Sequence, residues 1–289
     1  MIIDIQGNKR YKINLHTHTT ISDGRVTPER SAEIYRKAGY DMIAFTDHWK
    51  YGAERECGGL KILSGCEYDR GIHPSEHIYH IVGVGMEKEP ALVRGKSSVQ
   101  EIIDGINECG GVAILAHPAW SMNLASHAAL FSGVDATEIY NTLSGCGANI
   151  RPYSGDFVDI SANLGKFYDL IADDDTHFYE GEETKSYILV KSESEDSRDI
   201  IKAIKAGDYF ATQGPELFVS REKNTIKVQC TPVNKIAFFS DAGYSKKRVV
   251  RGEGITEAEY ETLERERFVR VEVYDKDGKT AWSHVIKLK

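Results

Sequence analysis

Long apolar runs are missing from this chain of 289 residues. None approaches the about 20 residues that a helix needs to cross a bilayer, and the amino terminus carries no apolar signal segment. Basic charge is also in short supply: 36 Lys and Arg stand against 44 Asp and Glu, and the net charge of −8 argues against broad binding to nucleic acid or anionic membranes. Cysteine is scarce and unpatterned. Cys57, Cys66, Cys109, Cys146 and Cys230 are odd in number and never form CxxC, which fits free thiols in a reducing compartment better than a disulfide framework. Internal repeats and low-complexity segments are absent too. The expectation is a soluble, cytoplasmic protein, large enough for one big domain or a big one with a small companion.

What the chain does have is alternation. KINLHTH reads as a strand, and TPERSAEIYRKAG as a helix with Thr27 as N-cap, Pro28 at its first position and Gly39 closing it. DMIAFTDH, LKILSGCE and HIYHIVGVG read as further strands, and SSVQEIIDGINECGG as a helix leading into GVAILAHP. DATEIYN, KFYDLIADDDTH and SYILVKS follow as strands before the helix EDSRDIIKAIKAG. Nearly all-apolar strands alternating with helices imply an α/β fold with a parallel sheet covered by helices, and the strand count suits a closed or nearly closed barrel. After Gly214-Pro215 the pattern changes to polar–apolar alternation in LFVSRE, NTIKVQC, VNKIAFFSD, FVRVEVYD and TAWSHVIKL, with an Asp277-Gly278 hairpin. ITEAEYETLERER reads as a helix-like or loop insertion there. The expected division is therefore a domain over 1–213 and a small antiparallel β domain over 214–289.

Histidine pattern carries the chemistry. His16 and His18 stand two apart in a strand, so both point to one side, about 6.5–7 Å apart, and can converge on one ion. An HxH pair alone is weak, but other strands carry metal-ligand types as well: Asp47-His48, Glu67, His80, His117 and Asp175-Thr176-His177. In parallel α/β folds the carboxyl ends of strands meet on one face. Six of the ten histidines fall at such places beside carboxylates, which points to a site for several metal ions.

The ordered series HxH…D, TDH, GCE, HIVG, AHP and DxH resembles the PHP family, the metal-dependent phosphoesterase domain named for polymerase and histidinol phosphatase, over about residues 12–212. AIKAGDYFATQGPEL and VRVEVYDKDGKTAWS are similar to the stand-alone members grouped with carbaryl hydrolase, which carry a carboxy-terminal β domain. The resemblance implies a distorted (βα)7 barrel with that β domain, and two or three divalent ions of Zn, Mn or Fe. It implies that His16, His18 and Asp175 hold a first ion, that Glu67 bridges to a second completed by His80 and His117, and that Asp23, His48 and His177 surround a third. His77 is an alternative to His80. Asp23 or His177 would be the catalytic acid if the third ion is absent. Water held between cations loses its proton near neutral pH, so the implied activity is metal-dependent hydrolysis of a small phosphorylated metabolite or nucleotide. A carbamate, ester or amide hydrolase with the same centre, or a non-catalytic metal-bearing binding protein, are the alternatives. A homo-oligomer is compatible with either.

The nucleotide-acting branch follows AHP with Gly-Arg, whereas here Ala119-Trp120 follows, so that guanidinium is missing. Arg25, Arg55 and Arg151 are the candidates to replace it in binding substrate. Trp120 and Trp49 each follow a ligand motif and are candidates to wall the pocket or to pack. Asp47 is read as ligand support or strand end, and Asp173 and Asp174 as a solvated acidic run. His73 and His77 are read as exposed in a polar loop, His127 and His284 as ordinary, Cys66 as a buried small residue, and KKRVVR (Lys246 to Arg251) as a hydrated turn.

Overall fold

The computed structural model describes residues 1–71 and 78–289; His73 and His77 lie outside them. In chain order the first strands and helices are β1 (Ile2–Ile3), β2 (Lys9–Asn14), α1 (Pro28–Lys37), β3 (Met42–Ala44), β4 (Arg55–Cys57), β5 (Leu60–Leu63) and β6 (Gly65–Arg70). They are followed by β7 (Tyr79–Val84), α2 (Val99–Glu108), β8 (Val112–Leu115), α3 (Ala125–Ala128), β9 (Ala136–Asn141), α4 (Gly155–Asn163), β10 (Asp169–Asp173), β11 (Tyr187–Lys191), α5 (Ser197–Lys205) and β12 (Tyr209–Thr212). The remainder is strand: β13 (Leu217–Glu222), β14 (Thr225–Ser240), β15 (Val249–Glu261), β16 (Phe268–Tyr274), β17 (Thr280–Trp282) and β18 (Ile286–Lys287).

The helices begin where the caps require. Thr27 accepts from the Arg30 N–H with Pro28 at the first position, and Ser98 and Glu101 form a reciprocal capping box at α2. The architecture is mixed α/β: the described residues form five α-helices and much sheet, fewer helices than a (βα)7 barrel would have, and α3 and α4 are not among the three helices read from the alternation. β2, β3 and β5 are parallel neighbours, as are β8, β9 and β10. β7, however, pairs antiparallel with both β6 and β8, against the expected parallel sheet. The cause is the short link: residues 71–78 leave no room for the crossover of a dozen residues or more that a parallel return needs. Reversal has a consequence for the site, because the start of β7, where His80 sits, lies at the same face as the ends of the other strands.

Past the strand ends, backbone hydrogen bonds run from one segment to the next. Asp175 N–H donates to His16 O and His18 N–H to Thr176 O; Thr46 N–H donates to Thr17 O, and Glu67 N–H to Thr46 O. Ala116 N–H donates to His80 O. A main apolar core under this face unites β2, β6–β12, α2 and α5, and a second lies within β13–β17.

Two carboxy-terminal expectations are corrected. NTIKVQC and VNKIAFFSD belong to one strand, β14, whose register breaks between Gln229 and Lys235, where Pro232 has no N–H to give a ladder. Of the residues read as a helix-like or loop insertion, 255–261 continue strand β15, pairing with β14 and turning Tyr260 inward opposite Ile226, and 262–267 form the turn into β16. The sheet also passes through residue 214, since β12 pairs with β17 (Ala211 with Trp282, Thr212 with Ala281), and Trp282 packs in the main core.

Arg270 ties β16 to α4. It is 1 % exposed, its guanidinium lies over Phe239, and it bonds Asp159 at 2.6 and 2.9 Å as well as Glu272. Removing one partner of a buried ion pair leaves the other charge uncompensated. Arg270→Ala is therefore expected to lower the unfolding free energy by about 3 kcal/mol or more in urea titration. Lys276→Ala, which breaks an exposed pair with Asp277, is the control and should change it by less than about 1 kcal/mol.

Candidate metal centre

Glu67 lies inside β6, not at a strand end as expected, and is 1 % exposed. Five imidazoles converge on its carboxylate. Oε2 is 3.2 Å from His16 Nε2, 3.0 Å from His18 Nε2 and 3.3 Å from His48 Nδ1. Oε1 is 2.8 Å from His80 Nδ1 and 3.4 Å from His117 Nε2. Asp175 Oδ1 faces the same histidines, 3.1 Å from His16 Nε2 and 3.3 Å from His18 Nε2. At the mouth, half-exposed Asp23 lies 3.6 Å from His18 Nδ1, 3.7 Å from His48 Nε2 and 3.5 Å from His177 Nε2. The rings of His18 and His177 stack at 3.9 Å.

Three overlapping groups could each hold an ion: His16, His18, Glu67 and Asp175; His48, Glu67 and His80; and His18, Asp23, His48 and His177. Their donor set fits a divalent cation on one further observation. His16 Nε2, both nitrogens of His18, His48 Nδ1 and Asp175 Oδ1 are buried without a hydrogen-bond partner. Buried polar atoms left unpaired are costly, and here they face one another. Imidazole and carboxylate together suit Zn, Mn or Fe.

Several groups orient the ligands. Glu138, fully buried in β9, accepts from His16 Nδ1 at 2.6 Å, which fixes the ring so that Nε2 points toward Glu67 and would be free to bind an ion once deprotonated. Its other oxygen accepts from the His117 N–H and from Asn141 Nδ2, and Asn141 also reaches Asp175 Oδ2 at 3.2 Å. The sequence reading missed Glu138; its signal was a charge in the middle of the strand DATEIYN. Asp47 supports the loop and does not face the cluster: it accepts from Thr19 N–H and Oγ1 and from Ser22 N–H and Oγ. Gly24 packs against the backbone of His18, where a Cβ would come within 2.5 Å of His18 C, so the DG pair is set by close approach. His117 and Asp175 have φ of 28° and 54°, a left-handed backbone that bulky residues adopt only when their surroundings impose it.

Asp173 and Asp174 are not solvated: both are fully buried. Asp174 accepts from the N–H groups of Thr184, Lys185 and Ser186 and from Tyr35, and burial still pushes its pKa up to about 6. Glu182, buried just after His177, accepts from the N–H groups of Phe178, Tyr179 and Glu180 and shapes that loop.

The three candidate arginines part company. Arg25 is next to the mouth: its N–H donates to His177 O, and its guanidinium lies over Phe178 and pairs with Glu180. Arg55 lies over Phe45 on β4 and bonds Ala53 O, and the structure does not bring it to the cluster. Arg151 is exposed, with its N–H on Ser144 O. Trp120, 43 % exposed, stands edge to plane with His117 at 5.1 Å and His80 at 6.2 Å. Trp49 instead bonds Asp69 and packs on Tyr68. Burial pushes the Cys66 thiol up to about 12, in keeping with a packing role. His284 accepts from the Leu170 N–H, joining the tail to β10, and Arg248 of the basic stretch is bonded to Ser240 and Glu266.

The carboxylates govern the charge states. Burial opposes a charge on His16, yet Asp175, Glu67 and Glu138 outweigh it and hold its pKa well above the ordinary 6.5. Burial likewise opposes a charge on His177, and Asp175 with Asp23 raises it to about 9. The His177 hydrogen bond first, and the neighbouring imidazoles next, hold Asp23 below its ordinary range.

No family model matches the chain. A 3',5'-nucleoside bisphosphate phosphatase of Chromobacterium violaceum is 33 % identical over 94 residues, 31 % of this chain and 33 % of that protein. A phosphoribosyl 1,2-cyclic phosphate 1,2-diphosphodiesterase of Eggerthella lenta is 35 % identical over 86 residues, 27 % of this chain and 33 % of its own length. The chain thus spans about a third of the length of the curated relatives it matches. A crystal structure of a two-domain protein from Bacteroides vulgatus, described as containing a predicted PHP-like metal-dependent phosphoesterase, superposes with a TM-score of 0.56 at 16 % identity, covering 99 % of this chain and 98 % of that one. The chain has that fold.

Two outcomes follow from this geometry. Glu138→Gln should keep the fold but weaken metal binding about 10- to 100-fold, measured by competitive chelator titration. In chelated protein, His177 stabilises the fold fully below its unfolded value of 6.5, and that contribution disappears as pH rises through about 9. The melting temperature of chelated protein should therefore fall between these values, and the fall should shrink in His177→Gln.

Proposed function

We propose that this chain, with its PHP-like fold, is a metal-dependent hydrolase of small phosphate esters. The observation that carries the reading is the set of buried, unpartnered ligand atoms on His16, His18, His48 and Asp175 gathered about Glu67. In this reading His16, His18 and Asp175 hold one ion, Glu67 shares it with a second held by His80 and His117, and Asp23, His48 and His177 offer a third position. Divalent Zn, Mn or Fe there would acidify water and neutralise charge that builds up on a phosphoryl group. Hydrolysis forms a P–O bond from water and breaks the ester P–O bond, so the leaving oxygen must gain a proton. With two ions bound, His177 Nε2 and Asp23 hold that proton at the mouth; with three, both are ligands. Arg25, whose N–H bonds His177 O, is the cation this reading gives to a substrate anion, and small phosphorylated substrates agree with what the curated relatives are named for.

The finer architecture belongs to the same proposal. We read β2, β3, β6, β7, β8, β9 and β10 as a distorted barrel closed by the parallel bridges Thr17–Thr176 and His48–Glu67. Residues 214–289 we read as a small β domain joined to it through β17.

The test uses metal-analysed protein against phosphomonoesters, phosphodiesters, nucleoside bisphosphates and aryl carbamates. Phosphate esters should turn over, chelation should abolish turnover, and metal should restore it. Turnover of carbamates with phosphate esters inert would overturn the reading. His16→Ala should lose metal and activity together, and full metal retention in that variant would remove the site assignment.

A further inference from the structure

The two sides of the mouth differ in character. On the His177 side stands the guanidinium of Arg25, over Phe178 at 4.7 Å and paired with Glu180 at 2.6 Å. On the His80 and His117 side stands Trp120. Its plane lies at 81° and 85° to those of the two imidazoles, and its Nε1 donates to Asn149 Oδ1 at 3.0 Å, so the indole is held by one hydrogen bond and two perpendicular ring contacts. The backbone beneath it is fixed as well, since the Ala119 N–H donates to Ser154 Oγ and the Ser121 N–H to His117 O. A hydrogen-bonded tryptophan that remains 43 % exposed beside a polar cluster presents a rigid π-surface at little further entropic cost.

Resting on the phosphoesterase reading, we propose that Trp120 is a specificity-determining residue: it stacks on a planar aromatic group in the alcohol portion of the substrate. The phosphoryl group then sits toward Glu67, and the aromatic portion lies across the indole. A second phosphate on this side would meet an indole where a cation is needed, so the substrate class is a phosphate ester of an aromatic alcohol. Stacking discriminates by ring shape, because a saturated ring of the same size cannot bring a π-face flat against the indole.

Benzyl phosphate and cyclohexylmethyl phosphate test this, since they share size and an alkoxide leaving group and differ in planarity. In metal-loaded wild type, kcat/KM should favour the benzyl ester by about tenfold, mostly through KM. The preference should collapse toward unity in Trp120→Ala and be largely retained in Trp120→Phe, with metal content measured in each variant. The two corresponding phosphonates, which cannot be hydrolysed, should show the same preference in calorimetric binding. An equal preference in wild type and Trp120→Ala with metal retained would overturn the inference, as would failure of both phosphonates to bind. Selective phosphonate binding without ester turnover would sustain the role of Trp120 and overturn the phosphoesterase reading alone.

Discussion

A carboxylate almost sealed from solvent has to be met by positive charge, and Glu67 is such a carboxylate, with Asp175 beside it. Burial alone would push Glu67 toward its neutral form; His16 and His80 reverse that and hold it ionised. The same interaction, seen from the other side, raises the pKa of His16 and of His80. The imidazoles come from segments following β2, β3 and β8 and from the reversed start of β7. Their shared counter-charge therefore draws much of one face of the fold to a single point. A divalent cation and a set of imidazolium protons answer the same electrostatic demand, and each competes with the other for the same lone pairs.

That face is held from outside as carefully as from within. Glu138, Asp47, Asp174 and Glu182 are buried or nearly so, and each accepts from backbone N–H groups of the segments that carry ligands. Backbone groups in such loops have no ladder to join, and a carboxylate with several acceptor positions replaces the ladder. The left-handed backbone at His117 and Asp175 persists for the same reason: the His117 N–H is fixed on Glu138 and the Asp175 N–H on His16 O.

Spacing along strands makes the clustered histidines and carboxylates legible in the sequence itself as candidate ligands, because HxH and DxH put side chains on one face and the other histidines recur at or near strand ends. Three of the five helices are legible in the sequence, and Thr27, Ser98 and Asp196 cap them; α3 and α4, which have no side-chain cap, are not. What local pattern does not encode is direction and distance. Nothing in HIYHIVGVG says that the strand runs backwards; only the brevity of the link before it does. The buried state of Asp173 and Asp174 is hidden because an acidic run is usually hydrated, and their partners lie in Thr184 to Ser186 and at Leu15. Arg55 shows the opposite case: nearness to a motif along the chain suggests a site, while its guanidinium lies over Phe45.

The carboxy-terminal strands bear on the centre through packing. β17 covers the edge of β12, which would otherwise present unpaired backbone groups beside the main core, and Trp282 fills that core from the same strand. From β16, Arg270 and Glu272 meet the hydroxyl of Tyr153. Tyr153 in turn bridges to Tyr140, one residue from Asn141, whose amide touches both Glu138 and Asp175. A buried ion pair contributes little net stability compared with an apolar replacement, but it tolerates few alternative geometries. Its place in this chain of contacts gives that intolerance a use: it fixes the segment that sets Asn141, and through Asn141 the orientation of two carboxylates at the centre.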